Sequence, residues 1–477
     1  ELWAVEGFLN EEEGKSIEEV AETCINELID RSLIFIHNLS FDGTIKSCGM
    51  HDVTRELCLR EARNMNFVRV LRGKSDQSSS TQSMQCSFKS RSRISIHNEE
   101  ELVQCRNSEA HSIIMLSRFK CVALELSFKL VRVLDLSFTQ CPCFPSGILS
   151  SIHLRYLALG FYPCLQQYRG SKEAVPSSLI DIPLSISSLC YLKTFKLYPP
   201  YNIRYKYPFL LPSEILTMPQ LRKLCLGWNY LRNPKKSYTT ENSLVSKNLQ
   251  CLSGLNPRYC TGSFFRLFPN LKELRVFGIP EDFRNRKDLY DFRCLYQLEK
   301  LEFRIVYPFA VYFLNGITPQ EPLRFLKEIL LEETEFGGIG TPTGVPTLLL
   351  PPPDVFPQNL KNLTFNGNFS GAWKNLSIVG KLPKLDVLKL SNTAFVGEKW
   401  EVVEEGFPCL KFLLLDSVYI RYWRASSDHF PCLERLFLKD CFALDSIPRD
   451  FADITTLALI DICKCRQSVG NSAKQIQ

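Results

Sequence analysis

One spacing governs most of the chain: an apolar residue, two variable residues, an apolar residue, one variable residue, an apolar residue. It stands at Val131/Leu134/Leu136, Leu154/Leu157/Leu159, Leu192/Phe195/Leu197, Leu221/Leu224/Leu226, Leu271/Leu274/Val276 and Leu298/Leu301/Phe303. It returns at Leu326/Ile329/Leu331, Leu360/Leu363/Phe365, Leu385/Leu388/Leu390, Leu410/Leu413/Leu415, Leu433/Leu436/Leu438 and Ile454/Leu457/Leu459. Weaker copies lie at Arg91–Ile96, Ala110–Met115 and Leu249–Leu255, giving about fourteen or fifteen copies over residues 91–477, mostly 21–29 residues apart. A unit that short cannot bury its own apolar face, so the copies must stack on one another. The period therefore predicts one short strand per copy and a parallel sheet running along an α/β solenoid. Length alone, 477 residues, would have suggested two or three separate domains.

The pattern is that of a leucine-rich repeat, whose sheet lines a horseshoe. Asn229, Asn368 and Cys441 fall three residues past the last apolar position, where a small polar side chain satisfies turn backbone. Phe268-Pro269, Phe407-Pro408 and Phe430-Pro431 precede repeats. Side chains alternate along a strand, so the variable positions of x-L-x-L-x form a ladder on the concave side. That ladder runs Val133/Asp135, Tyr156/Ala158, Thr194/Lys196, Lys223/Cys225, Glu273/Arg275, Lys300/Glu302, Glu328/Leu330, Asn362/Thr364, Val387/Lys389, Phe412/Leu414 and Arg435/Phe437. The residue just before each pair is basic in eight of eleven cases (Arg132, Arg155, Lys193, Arg222, Lys272, Lys327, Lys361, Lys411). This row is either a solvated face or a cationic edge that docks on an acidic module. Phe412, Leu414 and Phe437 are expected to expose apolar surface late in the array, as a partner site or as capping of the last coil. Insertions at Pro199–Pro212, Arg232–Lys247 and Phe336–Pro357 interrupt the repeats. The Gly337-Gly338 and Pro351-Pro352-Pro353 runs in the last exclude helix and central strand.

Ahead of the repeats, residues 73–90 are Ser/Gln-rich and read as a linker. Residues 1–72 read as a small helical domain with a hairpin. Ser16-Ile17-Glu18-Glu19 is a capping box, followed by Ile17, Val20, Ala21, Cys24 and Leu28 at helical spacing. Leu33–His37 and Thr44–Cys48 flank the turn dipeptide Asp42-Gly43, so a β-hairpin follows. Asp52 stands where an N-cap belongs, ahead of a helix over Val53–Ala62. Helices with a β-wing make a winged-helix domain.

Three blocks in this domain carry a resemblance: Leu2-Trp3-Ala4-Val5-Glu6-Gly7-Phe8, Glu27-Leu28-Ile29-Asp30-Arg31-Ser32-Leu33 and Met50-His51-Asp52. In that order, and followed by repeats, the segment resembles the winged-helix end of the nucleotide-binding (NB-ARC) module of plant NLR immune receptors. The likeness is to the coiled-coil class, and within it to late blight resistance proteins. It implies that the repeats recognise a pathogen effector or a guarded host protein and restrain an ADP/ATP switch that triggers defence and hypersensitive cell death. Carried over, the Met-His-Asp motif places Met50, His51 and Asp52 at nucleotide sensing, with His51 reaching the β-phosphate of ADP. A histidine donor at a loop-to-helix junction suits a phosphate oxygen; an ordinary surface histidine is the competing reading. Further implied partners are the NB-ARC and coiled-coil domains of the same receptor, in the cytoplasm or peripheral at a membrane. The uneven repeats fit the intracellular class, since secreted plant repeats keep a near-fixed period.

The chain departs from that family in lacking G-x-x-x-x-G-K-[ST]. Gly73-Lys74-Ser75 follows Val68 rather than a Gly five residues back and leads into Asp-Gln-Ser-Ser-Ser. ADP or ATP is therefore expected only with the full-length receptor. The chain reads as the C-terminal part of something longer, and on its own as a non-enzyme. No G-x-S-x-G or H-E-x-x-H occurs, and no metal-binding or catalytic residues are assigned. The nineteen cysteines form no C-x-x-C pair and fit a reducing compartment. No apolar run reaches a membrane span of about 18 residues; Leu410–Ile420 is broken by Lys411 and Asp416. The net charge of +6 conceals ten acids and one base in residues 1–30, leaving about +15 on the rest. Two oppositely charged parts are expected to attract each other. The bases are too dispersed to predict nucleic-acid binding. The rival from another class is a stand-alone repeat scaffold or ubiquitin-ligase adaptor, which would need an F-box-like helix set where the winged-helix blocks stand. An extracellular repeat receptor, which needs disulfide-bonded caps, is the third reading.

Overall fold

The computed structural model describes residues 1–71 apart from 11, 13, 41 and 42; 93–161 apart from 98–101, 103–104, 106–108 and 121–126; 180–198; 209–232; 245–283; 291–305; and 353–476 apart from 368–370, 393–394 and 403–405. The linker assigned to 73–90, most of the three insertions and the repeat at Leu326/Ile329/Leu331 lie outside these residues. The chain packs as two compact units, Glu1–Asn202 with Leu210–Cys225 and Ile203–Phe209 with Leu226–Gln477.

The first unit opens with helix α1, Leu2–Glu6, stopped by Gly7 in the left-handed region at φ 78°. Helix α2, Ile17–Asp30, begins at the expected capping box: the Glu19 amide donates to Ser16 Oγ at 3.3 Å and the Ser16 amide donates to Glu19 Oε2 at 2.6 Å. Val20 is buried, and Ile17, Ala21, Cys24 and Leu28 are half-buried beside it. Strands β1, Phe35–Leu39, and β2, Ile45–Gly49, pair antiparallel. Helix α3 covers Asp52–Asn64, and its N-cap is His51, with no side-chain capping bond. Asp52 is thus the first helical residue, one position later than its expected capping role.

Strand β3, Val68–Leu71, already pairs in parallel with β4, Arg93–Ile96, so the repeat sheet begins inside the segment assigned to the winged helix. From β4 the parallel sheet of this unit continues through β5, Ser112–Met115, and the strands Val133–Cys141, Tyr156–Phe161, Thr194–Tyr198 and Lys223–Cys225. The register sets Ile94, Ile113, Leu134, Leu157, Phe195 and Leu224 side by side, all buried. Parallel in-register pairing puts the same repeat position on every rung, which is why the six-residue pattern is so visible in the sequence. Three short 3-10 turns, Ser146–Ser150, Leu184–Ser188 and Ser213–Thr217, follow Pro145, Pro183 and Pro212. Each drops one isoleucine (Ile148, Ile186, Ile215) into the core.

In the second unit the strands Cys251–Leu255, Glu273–Gly278, Lys300–Ile305, Asn362–Asn366, Val387–Ser391, Phe412–Asp416, Arg435–Lys439 and Leu459–Cys463 are parallel neighbours in that order. Lys300–Ile305 and Asn362–Asn366 are adjacent rungs. The last repeat sits three residues later than the expected Ile454/Leu457/Leu459: Ile460 pairs with Leu436, leaving Leu459 exposed. Leu457/Ile460/Ile462 fits the same template, so spacing alone could not choose the register. Behind this sheet runs an aromatic column. Trp400 stacks on Trp373 at 5.3 Å and on Trp423 at 5.1 Å, and Phe407 stacks on Phe430 at 5.3 Å. The Phe-Pro pairs of the sequence thereby supply core, not loop.

Asn229 sits in its turn as expected: its amide donates to the carbonyls of Gly227, at 3.0 Å, and Gly254. Cys441 Sγ likewise meets the Leu415 and Lys439 carbonyls, at 3.4 and 3.3 Å. Gly254, at φ 86°, forms the bulge that admits Asn229, and a Cβ there would strike the carbonyls of Leu226 and Gly227. Asn368 lies outside the described residues. The helix Gln467–Ile476 closes the unit, burying Val469 and placing Ser472 Oγ 3.0 Å from the Ile447 amide.

Candidate functional site

Helix α1 is only five residues long, too short to be stable by itself. It is held by what it touches. Val5, 7% exposed, packs against Val133, Tyr156 and Ala158, three ladder residues of two neighbouring strands, with Leu2 and Tyr198 at the margin. Burying that valine contributes about 1.5–3 kcal/mol. Gly7 then turns the chain so that Phe8 lies 5.7 Å from Phe67.

Carboxylates surround this apolar contact, and each finds a cation or donor. Glu6 faces Arg93, Nη2 to Oε2 at 3.1 Å, and also accepts from Ser112 Oγ. The same guanidinium lies over the rings of Phe8 and Phe67, at 4.6 and 4.4 Å. Glu1 is ion-paired with Lys196 and, at 3.5 Å, with Lys223. From α2, Glu18 meets Lys223 at 3.0 Å. Lys196 rests 5.6 Å from the Tyr156 ring centroid, and the Tyr156 hydroxyl donates to Asp135 at 3.3 Å.

Burial works against ionising Glu1, but Lys196 and Lys223 outweigh it and hold the carboxyl below the ordinary 4.5. Glu18 follows the same balance, burial opposed by Lys223, with Arg222 adding to the pull. Burial would likewise strip Lys196 of its proton; Glu1 more than compensates and raises it above 10.5. These charges stabilise one another where water is partly excluded. Removing one partner leaves the other stranded. The acidic N-terminal segment is therefore seated on the ladder face of the repeats within this unit. The sequence anticipated attraction between the two parts, but assigned it to the edge row. The contacts are made by the ladder lysines, Lys196 and Lys223, together with Arg93. The signal that could have found them is the pairing of the acidic run with basic ladder positions.

The edge row itself is built by the backbone. The carbonyl of His111 receives the amides of Arg132 and Val133; Arg132 receives those of Arg155 and Tyr156; Arg155 those of Lys193 and Thr194; Lys193 those of Arg222 and Lys223. Arg132, Arg155, Lys193 and Arg222 are thus stacked on consecutive rungs, exposed or half-exposed. In the second unit the same row reads Lys272, Glu299, Lys361, Asp386, Lys411, Glu434, alternating in sign. Two of its pairs close, Lys361–Glu299 at 3.5 Å and Lys411–Glu434 at 3.8 Å.

Phe412, Leu414 and Phe437 do not expose apolar surface. They are 3%, 5% and 8% exposed and form a cluster with Val387, the two rings 5.0 Å apart and Lys389 5.5 Å over Phe412. Rungs about 4.8 Å apart let each large side chain cover its neighbour, so a ladder position need not be an open one.

Met50, His51 and Asp52 lie together at the junction of β2 and α3, far more open than the core. The His51 ring is 4.8 Å from Phe35, and its carbonyl accepts the Arg55 amide at 2.8 Å. The His51 side chain makes no capping bond to the first turn of α3.

Residues 1–58 match the family described as "Disease resistance protein Winged helix domain", and residues 109–462 match "Leucine-rich repeat region". The chain is similar over its whole length to "Putative late blight resistance protein homolog R1B-12" of Solanum demissum, 29% identical, covering 32% of that protein. It is 28% identical to a second putative late blight resistance protein homolog of the same species, again over the whole chain, covering 55% of it. The chain thus spans between a third and somewhat over half of these relatives. Among solved structures, the internalin InlF of Listeria monocytogenes is similar at 13% identity and a TM-score of 0.38, covering 73% of this chain and 82% of that one.

Proposed function

Since the chain belongs to the leucine-rich repeat family of plant disease-resistance proteins, we propose that it is the sensing and restraining part of an NLR immune receptor. The repeats recognise a pathogen effector or a guarded host protein. The winged helix, held on the first rungs, transmits that event to an ADP/ATP switch. One observation carries this reading: Val5, Glu1, Glu6 and Glu18 clamp the winged helix to Arg93, Lys196 and Lys223 of the repeat sheet. A restraint built from ion pairs and one apolar contact is strong enough to bias an equilibrium and weak enough to be undone. It switches only if effector binding favours the released state.

In the receptor, His51 contacts the ADP β-phosphate and Asp52 keeps the junction in shape; ADP-to-ATP exchange then triggers defence and localised cell death. This work belongs in the cytoplasm or at the cytoplasmic side of a membrane, with the NB-ARC and coiled-coil domains as intramolecular partners. No helix among the described residues is long and apolar enough to cross a membrane. The test is cell death in leaf tissue without elicitor, scored for receptors carrying His51→Ala, Asp52→Val or the pair Lys196→Glu/Lys223→Glu. The expected result is autoactivity in all three. Output indistinguishable from the parent receptor in every case would overturn the reading.

A further inference from the structure

One position of the repeat, immediately ahead of the first apolar residue of the pattern, carries a side chain that reaches back to the coil before it. In the second unit Asn270 Nδ2 donates to the Lys247 carbonyl at 2.8 Å, and Asn359 Nδ2 to the Tyr296 carbonyl at 2.7 Å. Thr456 Oγ1 donates to the Pro431 carbonyl at 3.2 Å. Cys409 Sγ keeps the same bond, to the Pro383 carbonyl at 3.2 Å. Cys432, ahead of Leu433, occupies the same position on the next coil. Two contacts at rung distance bracket this pair. Just before it, the Phe407 and Phe430 rings stack at 5.3 Å; just after it, Phe412 faces Arg435 in the parallel register. The Cα atoms of Cys409 and Cys432 are thereby held near the ~4.8 Å strand spacing. A disulfide spans about 4.4–6.8 Å between Cα atoms, so the backbone already suits one.

We propose that Cys409 and Cys432 are a peroxide-sensitive pair whose reversible disulfide staples two consecutive coils of the second unit. A second pair serves as an internal control. Cys441 and Cys465 are also matched on adjacent coils, donating to the Leu415 carbonyl at 3.4 Å and the Leu438 carbonyl at 3.5 Å. Cys441 is buried, and burial pushes its thiol up to about 12; burial raises the Cys465 thiol as well. The thiolate is the nucleophile, so that pair is chemically quiet. Cys432 is exposed and Cys409 half-buried, within reach of a dissolved oxidant. A chain whose cysteines are otherwise free forms such a bond only transiently, as a response to oxidation.

The chemistry balances with hydrogen peroxide as the oxidant. The Cys432 thiolate attacks one peroxide oxygen; an S–O bond forms, the O–O bond breaks, and the departing hydroxide takes the thiol proton as water. Cys409 releases the Pro383 carbonyl, turns about its Cα–Cβ bond and attacks the sulfenic sulfur as thiolate. The S–S bond forms, the S–O bond breaks, and the second hydroxide leaves as water with the Cys409 proton. Two thiols lose two electrons and one peroxide becomes two waters. The hydrogen bond given up is a weak one, since a thiol is a poor donor.

The test treats the reduced full chain with hydrogen peroxide, caps the remaining thiols with an alkylating reagent and maps disulfides by mass spectrometry. The expected product joins Cys409 to Cys432, forms at a rate independent of protein concentration and disappears with dithiothreitol. It should exceed any Cys441–Cys465 product by about tenfold. Cys432→Thr installs the side chain that Thr456 already carries at this position, so it should abolish the product in a folded chain. Cys409→Ser should leave Cys432 as a sulfenic acid that dimedone traps. Cys190→Ser, at an exposed cysteine of the first unit, should leave the yield unchanged. A Cys441–Cys465 product in equal amount, Cys432 carried to sulfinic acid without any disulfide, or Cys432 untouched while Cys190 is oxidised would each overturn the proposal.

Discussion

The two units solve the same electrostatic problem in opposite ways. Both stack one residue per rung along the sheet edge through the same carbonyl-to-amide chain. In the second unit the signs alternate and two of the row's pairs close, while on its ladder Glu273, Arg275, Glu302 and Arg304 form a connected network. In the first unit the edge row from Arg132 to Arg222 is all basic, and the ladder cations Lys196 and Lys223 are paired with carboxylates from the winged helix. A self-paired surface needs no partner. A one-signed surface keeps its stabilisation in reserve for whatever binds it. The lesson is that repeat count and repeat fold do not locate function on such a chain; the sign sequence across rungs does.

The largest expected effect breaks the comparison from the side of the second unit. Trp400→Ala removes the middle of the stacked column and should destabilise that unit by about 3–5 kcal/mol. Hydrogen exchange should show the loss at residues 353–476, with protection of α1 retained. Next, Lys223→Glu places a third carboxylate beside Glu1 and Glu18. It should cost the seating of α1 and α2 about 1–2 kcal/mol, read as faster exchange at residues 2–6 and 17–22. Acid should act in the same place. Glu1 and Glu18 have lowered values in the folded chain, so their contribution is complete above the ordinary 4.5 and is lost as pH falls through and below it. Glu18→Gln should flatten that part of the pH profile, and an unchanged profile would count against the clamp.

The smallest effect is the sharpest. Arg155→Glu places an acid between Arg132 and Lys193, and should stabilise the chain by about 0.2–1 kcal/mol. Lys361→Glu should do the reverse by a similar amount. Chemical denaturation of the pair decides it. If both variants lose stability, the two rows do not differ as described.

How much of this was legible depended on whether a residue answers to its own repeat or to another part of the chain. The rungs were readable because Leu134, Leu157 and Leu224 do the same job in identical surroundings. The α2 capping box was readable because Ser16 and Glu19 satisfy each other three residues apart. The clamp was only half readable, since Lys196 carries no mark of the distant Glu1 it will meet. Phe412, Leu414 and Phe437 misled because alternation tells which face a side chain takes, not how thoroughly its neighbours cover it. The final register failed where two overlapping apolar patterns competed and only packing chose between them.

The chain holds five tryptophans, and their distribution makes the two units optically separable. Trp373, Trp400 and Trp423 are stacked, the last two within 7° of parallel, close enough for their transitions to couple and give circular dichroism in the indole bands. Trp228 is buried in the same unit. Trp3 alone belongs to the first unit; it lies on α1, 38% exposed. A change in fluorescence quenching without a change in the indole dichroism would therefore report release of α1 from the sheet, so the clamp can be followed in solution without any attached dye.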